Sequence, residues 1–185
     1  MLRKSILSRR LALPATEKSV ADDAIQSVLL ASSEYMAADA VALYFAVNNE
    51  VSTEKVINHS LSVGKALFLP AVEDSVMLFR RVTARKDLVA GRFGIMQPSS
   101  GCGAADPEEI GLIVVPGVGF DLSGQRIGYG KGYYDRTLHR LEGKGKLTAL
   151  CYEFQLVGSL AGEQHDVIMD RIITERRIIT PALPK

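Results

Sequence analysis

Apolar and polar positions alternate along this chain with two periods, one helical and one extended. From Leu2 to Leu13 the apolar Ile6, Leu7, Leu11 and Leu13 stand beside Arg3, Lys4, Arg9 and Arg10. That spacing predicts a basic amphipathic helix ended by Pro14. Its cations either face solvent or reach a phosphate. Thr16 is placed to cap a second helix running to about Met36, with Val20, Ile25, Val28 and Leu29 inward. Val41 to Val47 is short, apolar and bounded by Asn48-Asn49, the pattern of a buried strand. Thr53 to Ser62 predicts a helix capped by Thr53 and closed by Gly64. Strands follow at Ala66 to Leu69, stopped by Pro70, and at Val76 to Val82.

Lys86 to Gly103 is rich in Gly, Ser and Pro and reads as irregular surface chain. Ile110 to Val115 is continuously apolar, as a strand covered on both faces is. Tyr133 to Leu141 predicts a helix, Leu147 to Cys151 a strand, and Leu156, Val157 and Leu160 a short helix. Val167 to Met169 and Arg177 to Thr180 read as short extended pieces. Strands alternating with helices predict one α/β domain over residues 1–185. We expect a three-layer sandwich, with a mostly parallel central sheet and helices on both faces. Ligands in such sheets bind beyond the carboxyl ends of the strands. That rule predicts one rim made of Asn48 to Glu50, Gly117 to Asp135 and the residues after Val167.

Composition narrows the function. The chain is 47% hydrophobic, so it is no disordered segment, and its net charge of +1 gives no reason to expect a nucleic-acid surface. No apolar run approaches a membrane span, and the N-terminus lacks the apolar core of a signal peptide. A cytoplasmic monomer with no nucleic-acid or membrane partner is the expectation. Cys102 and Cys151 have no redox or metal spacing and read as reduced packing residues.

The chemistry concentrates after the apolar strand. Pro116-Gly117-Val118-Gly119-Phe120-Asp121 leads into Arg126-Ile127-Gly128-Tyr129-Gly130-Lys131-Gly132-Tyr133-Tyr134-Asp135, and six glycines stand between Gly117 and Gly132. Glycine lets backbone N–H groups approach a ligand closely, and successive N–H groups form a concave anion site. Lys131 and Arg126 supply positive charge, and the following helix start points its dipole at the same place. Asp135 would repel a phosphate unless a cation lay between them. It either complements the helix start or holds magnesium, and the local sequence leaves both open. The loop departs from the Walker A pattern, because Gly132 follows Lys131 where Ser or Thr belongs. It departs from the dinucleotide fingerprint too, since its third glycine comes one residue early. One of Tyr133 and Tyr134 is expected in the core and the other against a planar ring.

These residues together resemble the signature of the 5-formyltetrahydrofolate cyclo-ligase family. The resemblance extends from the Arg3 to Leu13 helix through Val47-Asn48-Asn49-Glu50, Phe93-Gly94-Ile95-Met96-Gln97-Pro98 and His165-Asp166-Val167-Ile168-Met169-Asp170. It implies an enzyme that closes 5-formyltetrahydrofolate to 5,10-methenyltetrahydrofolate while splitting ATP with magnesium. By the same resemblance ATP is held by Arg3 and by Arg126, Ile127, Gly128, Tyr129, Gly130, Lys131, Gly132, Tyr133 and Tyr134. Lys131, Arg126 and Tyr133 are the catalytic candidates. Phe45, Glu50, Phe93 and Tyr133 face the folate, and Asp135 and Asp170 hold the metal. The family's lysine four residues before Arg3 has no counterpart here. Other readings from the residues alone are a different ATP-dependent phosphotransferase or a non-catalytic nucleotide or folate binder. An RNA-binding role for the N-terminal cations is disfavoured by the near-neutral charge.

Overall fold

A computed structural model describes residues 2–91, 95–144, 146–162 and 166–182. In chain order the main elements are α1 (Leu2–Leu11), α2 (Ala15–Leu30), α3 (Ser33–Ala37), β1 (Ala40–Ala42), α4 (Glu54–Ser62), β2 (Ala66–Glu73), β3 (Val76–Val82), β4 (Leu88–Ala90), β5 (Met96–Pro98) and β6 (Ala104–Ala105). They continue with β7 (Leu112–Val115), β8 (Gly119–Phe120), β9 (Arg126–Ile127), α5 (Tyr133–Leu138), β10 (Leu147–Leu150), β11 (Arg171–Ile173) and β12 (Ile178–Ile179). The described residues form an eight-stranded sheet in the order β12-β11-β10-β7-β1-β2-β3-β6. Its middle strands β11, β10, β7, β1 and β2 run parallel, and the flanking pairs are antiparallel. This is the expected mixed, mostly parallel α/β sheet.

The period-two alternation of side chains sorts the core onto the two faces. Val41, Leu43, Leu67, Leu112 and Val114 join Ile25 and Leu29 of α2 and Val56 and Ile57 of α4 on one face. Ala42, Phe68, Ile113, Val115 and Ala149 join Phe120, Leu138 and Leu141 on the other. Hence Leu112 to Val115, buried at every position, alternates between two covered faces.

Several elements differ from expectation, each for a local reason. The second helix breaks after Leu30, because the Ser32 side chain donates to Leu29 O and accepts the Tyr35 N–H, which starts α3. Val20 is 73% exposed, off the Ile25 and Leu29 face. Thr16 lies inside α2, which Pro14 precedes with no side-chain cap. Thr53 makes no cap bond either; its hydroxyl donates to Tyr44 O instead. Pro70 does not stop β2. Beyond Phe68 no strand pairs on the β1 side, so the missing N–H breaks no ladder there. The β2–β3 hairpin turns on Asp74 and Ser75, both at positive φ, as a two-residue turn requires. The Gly-rich stretch folds partly into the β4–β5 hairpin. Leu156 lies in extended chain bridging Phe120, after a 3₁₀ turn over Glu153–Gln155, rather than in a helix. No helix among the described residues is long and apolar enough to cross a membrane.

At the end of β7 the tip of the fully buried Phe120 ring lies against Gly117, and a Cβ on Gly117 would stand 2.4 Å from its Cζ. Gly117→Ala is expected to cost about 1–3 kcal/mol of stability through overpacking. Urea unfolding at fixed pH measures it, and an unchanged midpoint would mean that the ring moves freely.

Candidate active site

The carboxyl ends of β1 and β7 lie side by side and diverge. From β1 the chain crosses through α4 to β2 on one side, while β7 pairs on the other. Such a switch point opens a crevice where α/β proteins bind ligands. The glycine loop leaves β7 on one side of this crevice, and the Leu43 to Glu50 segment leaves β1 on the other.

The loop side is built from alternating glycines and guanidinium groups. Gly130 and Gly132 adopt φ of 93° and 63°, in the left-handed region that side chains disfavour. A Cβ on Gly128 would stand 2.9 Å from Arg126 Nη1, one on Gly130 3.5 Å from Arg3 Nη1, and one on Gly132 3.0 Å from Arg136 Nη1. Three guanidinium groups therefore lie against the backbone of one loop, and a side chain at Gly128 or Gly132 would crowd its neighbouring arginine, whereas Gly130 is in ordinary contact with Arg3. Arg3 thus lies beside the glycine loop. Ile127 lies in β9, paired antiparallel with Gly119 of β8. Lys131 is exposed, and its carbonyl accepts a bond from Arg136 Nη1 at 2.9 Å.

Arg126 is buried and reaches Asp135 Oδ1 at 2.5 Å and Pro116 O at 3.4 Å. Its Nε is buried with no hydrogen-bond partner among the described residues. Tyr133 and Tyr134 both pack against the core cluster on this face while keeping partial exposure, so neither is wholly core nor wholly free. The Arg136 guanidinium lies 5.4 Å over Tyr133 and that of Arg126 5.9 Å over Tyr134. Burial, reinforced by the charge of Glu50, pushes the Tyr134 hydroxyl above its usual range, so it stays protonated at neutral pH. The helix after the loop is shorter than expected: α5 ends at Leu138 and a 3₁₀ turn covers His139–Leu141.

Across the crevice Glu50 is 4% exposed. The Asn48-Asn49 turn, with both residues at positive φ, folds it back so that Oε2 accepts the Val47 N–H at 3.0 Å. Oε1 accepts the Tyr129 hydroxyl at 3.0 Å. Burial raises the Glu50 carboxyl above the usual carboxylate range, while the Val47 bond, Arg10 and Tyr129 pull it back down. Phe45 and Glu50 line an open recess of about 350 Å³ with Lys18, Asn49 and Thr53. Phe93 lies outside the described residues.

Arg10, read from sequence only as one of several helix cations, proves to be wholly buried. Its Nε donates to Asn48 O at 2.9 Å, its Nη1 to Gly117 O at 3.0 Å and its Nη2 to the Tyr129 hydroxyl. The expected solvated or phosphate-facing helix face thus splits: Arg3 reaches the loop, Arg9 lies 4.6 Å over the Phe154 ring, and Arg10 ties the crevice together. Only Ile6 and Arg10 of α1 are buried, and their i,i+4 spacing was the available signal.

Asp135 and Asp170 do not meet. Asp170 directly precedes β11, at the amino edge of the parallel sheet, where its Oδ2 accepts the Leu147 N–H at 2.8 Å. It lines a recess of about 550 Å³ shared with Thr148, Glu34 and Arg171, none of them in the loop. The segment after Val167 stays beside the glycine-rich chain as far as Met169, whose N–H donates to Gly124 O at 2.9 Å, and Asp170 then turns to Leu147. The part of that segment that reaches Asp135 is the Val167 N–H, 3.4 Å from Oδ1, and the residue next to it is Asp166. Among the described residues no three His, Cys, Asp or Glu side chains converge as a metal cage.

A cationic glycine loop joined to a buried carboxylate at a switch point marks an α/β protein with a candidate ligand crevice at the carboxyl edge of its sheet. Comparison with known proteins makes the class specific. Residues 1–175 match the model of the 5-formyltetrahydrofolate cyclo-ligase family, and the chain belongs to that family. The 5,10-methenyltetrahydrofolate synthetase of Aquifex aeolicus superposes with a TM-score of 0.88 at 35% identity, covering 100% of this chain and 93% of that one. The Mycoplasma pneumoniae synthetase gives 0.77 at 29%, covering 94% and 96%. The 5-formyltetrahydrofolate cyclo-ligase of Haemophilus influenzae is 30% identical, over 90% of this chain and 91% of its own length.

The raised carboxyl of Glu50 carries a stability prediction. A folded-state value above the unfolded one favours the protonated fold, so Glu50 weakens the protein as pH rises through its shifted value. Glu50→Gln is expected to unfold at higher urea than the parent at pH 7 and to flatten the pH dependence just above the ordinary carboxylate range. A lower midpoint at pH 7 would show that the partners outweigh the burial.

Proposed function

We propose that the protein catalyses ATP- and magnesium-dependent closure of 5-formyltetrahydrofolate to 5,10-methenyltetrahydrofolate, releasing ADP and phosphate. The observation that carries this reading is the Tyr129 to Glu50 bond, which joins the glycine loop to the buried carboxylate. A small-molecule phosphotransferase of another kind would need the cradle but not that carboxylate.

Glu50 has two protein donors already in place, one on each oxygen. A carboxylate has about four lone-pair sites, so roughly two remain for the N–H donors along one edge of a pterin ring, with Phe45 beside it. The cradle of Arg3, Arg126, Lys131 and the Gly128 to Gly132 backbone suits a triphosphate, and the unpartnered Nε of Arg126 is a donor suited to a phosphate oxygen. Asp135 beside those cations fits magnesium, which takes one or two carboxylates and completes its shell with phosphate oxygens and water. The second carboxylate we propose is Asp166, adjacent to the amide that Asp135 accepts, in place of Asp170 at the far edge. When bound, the ion offsets charge on the phosphates.

The formyl group on N5 is an amide and a poor electrophile. The formyl oxygen attacks the γ-phosphorus of ATP, and ADP leaves. The 10-nitrogen then attacks the activated carbon, its proton departs, and the C–O bond breaks to release phosphate and leave the methenyl bridge. The protein's part is alignment and charge neutralisation: Arg126 and Lys131 at the transferring phosphoryl group, Tyr133 between phosphate and folate, Glu50 fixing the ring.

The methenyl chromophore appearing when protein, ATP, magnesium and 5-formyltetrahydrofolate are mixed is the direct assay. Lys131→Ala and Asp135→Asn are expected to lower kcat by roughly 10²–10³-fold. Asp166→Asn is expected to follow Asp135→Asn, and Asp170→Asn to retain activity while losing stability. The reverse order of the two would restore Asp170 as the ligand. Cys102→Ser and Cys151→Ser should both turn over, since the scheme uses no thiol; a dead but folded variant of either would require a different mechanism.

A further inference from the structure

A buried guanidinium without a full carboxylate partner is costly, and it persists only where several acceptors receive it. Arg10 has such a set, but its distribution exceeds what α1 needs for packing. Two of its three bonds take one carbonyl from each crevice wall, Asn48 O in the segment after β1 and Gly117 O just after β7. The third takes the hydroxyl of Tyr129, whose own proton goes to Glu50. The Tyr129 ring also lies beneath the guanidinium, 5.7 Å from it. Direct attraction between Arg10 and Glu50 is the weaker part, since Nη2 stands 4.0 Å from Oε1. The chain of contact is therefore guanidinium, phenol, carboxylate. Tyr129 is 41% exposed, and these polar bonds tie its hydroxyl to Arg10 and Glu50.

We propose that Arg10 is a positioning residue for the folate: it fixes Tyr129 of the glycine loop against Glu50 and so sets the orientation in which that carboxylate receives the pterin edge. The inference rests on the proposed role of Glu50. The Arg10 fork hands Tyr129 a donor, so the phenol must spend its single proton on Glu50. That leaves Oε1 with one lone-pair site and fixes where it points. A tyrosine freed from Arg10 is able to turn its proton elsewhere, and the carboxylate is then held only at Val47.

The test compares Arg10→Lys, Tyr129→Phe and the double variant in the chromophore assay. Tyr129→Phe keeps the ring over the guanidinium and both carbonyl bonds of Arg10, so it is the variant expected to fold if Arg10→Lys does not. Each single change is expected to raise the KM for 5-formyltetrahydrofolate by about tenfold, the size of a lost hydrogen bond to a charged group, with a smaller effect on kcat. Because both act through one chain, the double variant is expected to lose no more than either single one. Multiplying losses, or a lowered melting temperature with the folate KM unchanged, would overturn the proposal and leave Arg10 a fold residue. Failure of the unaltered protein to form the methenyl product would instead overturn the proposed function.

Discussion

At the carboxyl edge of this sheet one buried cation, Arg10, bonds to both crevice walls at once. The connections from β1 and β7 diverge at a switch point, and the two segments that leave it share no strand pairing among the described residues. Arg10 closes that gap from a helix on the far side of the chain, by binding one carbonyl from each segment and the hydroxyl that bridges them. The desolvation of a full charge is offset by three acceptors in a planar fork, a geometry that lysine does not reproduce. The result is a crevice whose two walls are set relative to each other before any ligand arrives, and preorganisation of that kind lowers what binding must spend on ordering.

The chemistry divides between those walls. The glycine wall gathers Arg3, Arg126 and Arg136 against a backbone that side chains cannot occupy, and leaves Arg126 Nε unmatched. The opposite wall buries Glu50 deeply enough to raise its carboxyl, which costs stability at neutral pH and leaves acceptor capacity for a partner in the cleft. A destabilised carboxylate at a crevice is the usual trade of stability for function. Asp135 belongs to the first wall, tied to Arg126, and the chain beside it comes from the Val167 segment.

Much of this was legible in the sequence. The apolar run before Pro116 located the central strand, and the glycines with Lys131 and Arg126 marked an anion site, because both signals are local. The cyclo-ligase family followed from the long spacing through Asp135. Three features were not legible. Arg10 looked like its neighbours Arg9 and Lys4, because a helix of ten residues with cations on several faces does not declare which face is covered. Pro70 looked like a strand terminator, because the absence of a neighbour on one side is a property of the sheet and not of the strand. Asp170 was assigned to the metal through the family resemblance, and its pairing with the Leu147 N–H is a property of the sheet register that the local sequence does not show.

The central claim is that the two walls act on one reaction, so that ATP is split only with a folate in place. Counting ADP released against methenyl product formed tests it most directly. The account predicts one ADP for each methenylfolate and negligible ADP without 5-formyltetrahydrofolate. Steady ADP release in the absence of the folate, or ADP without the methenyl chromophore in its presence, would contradict it.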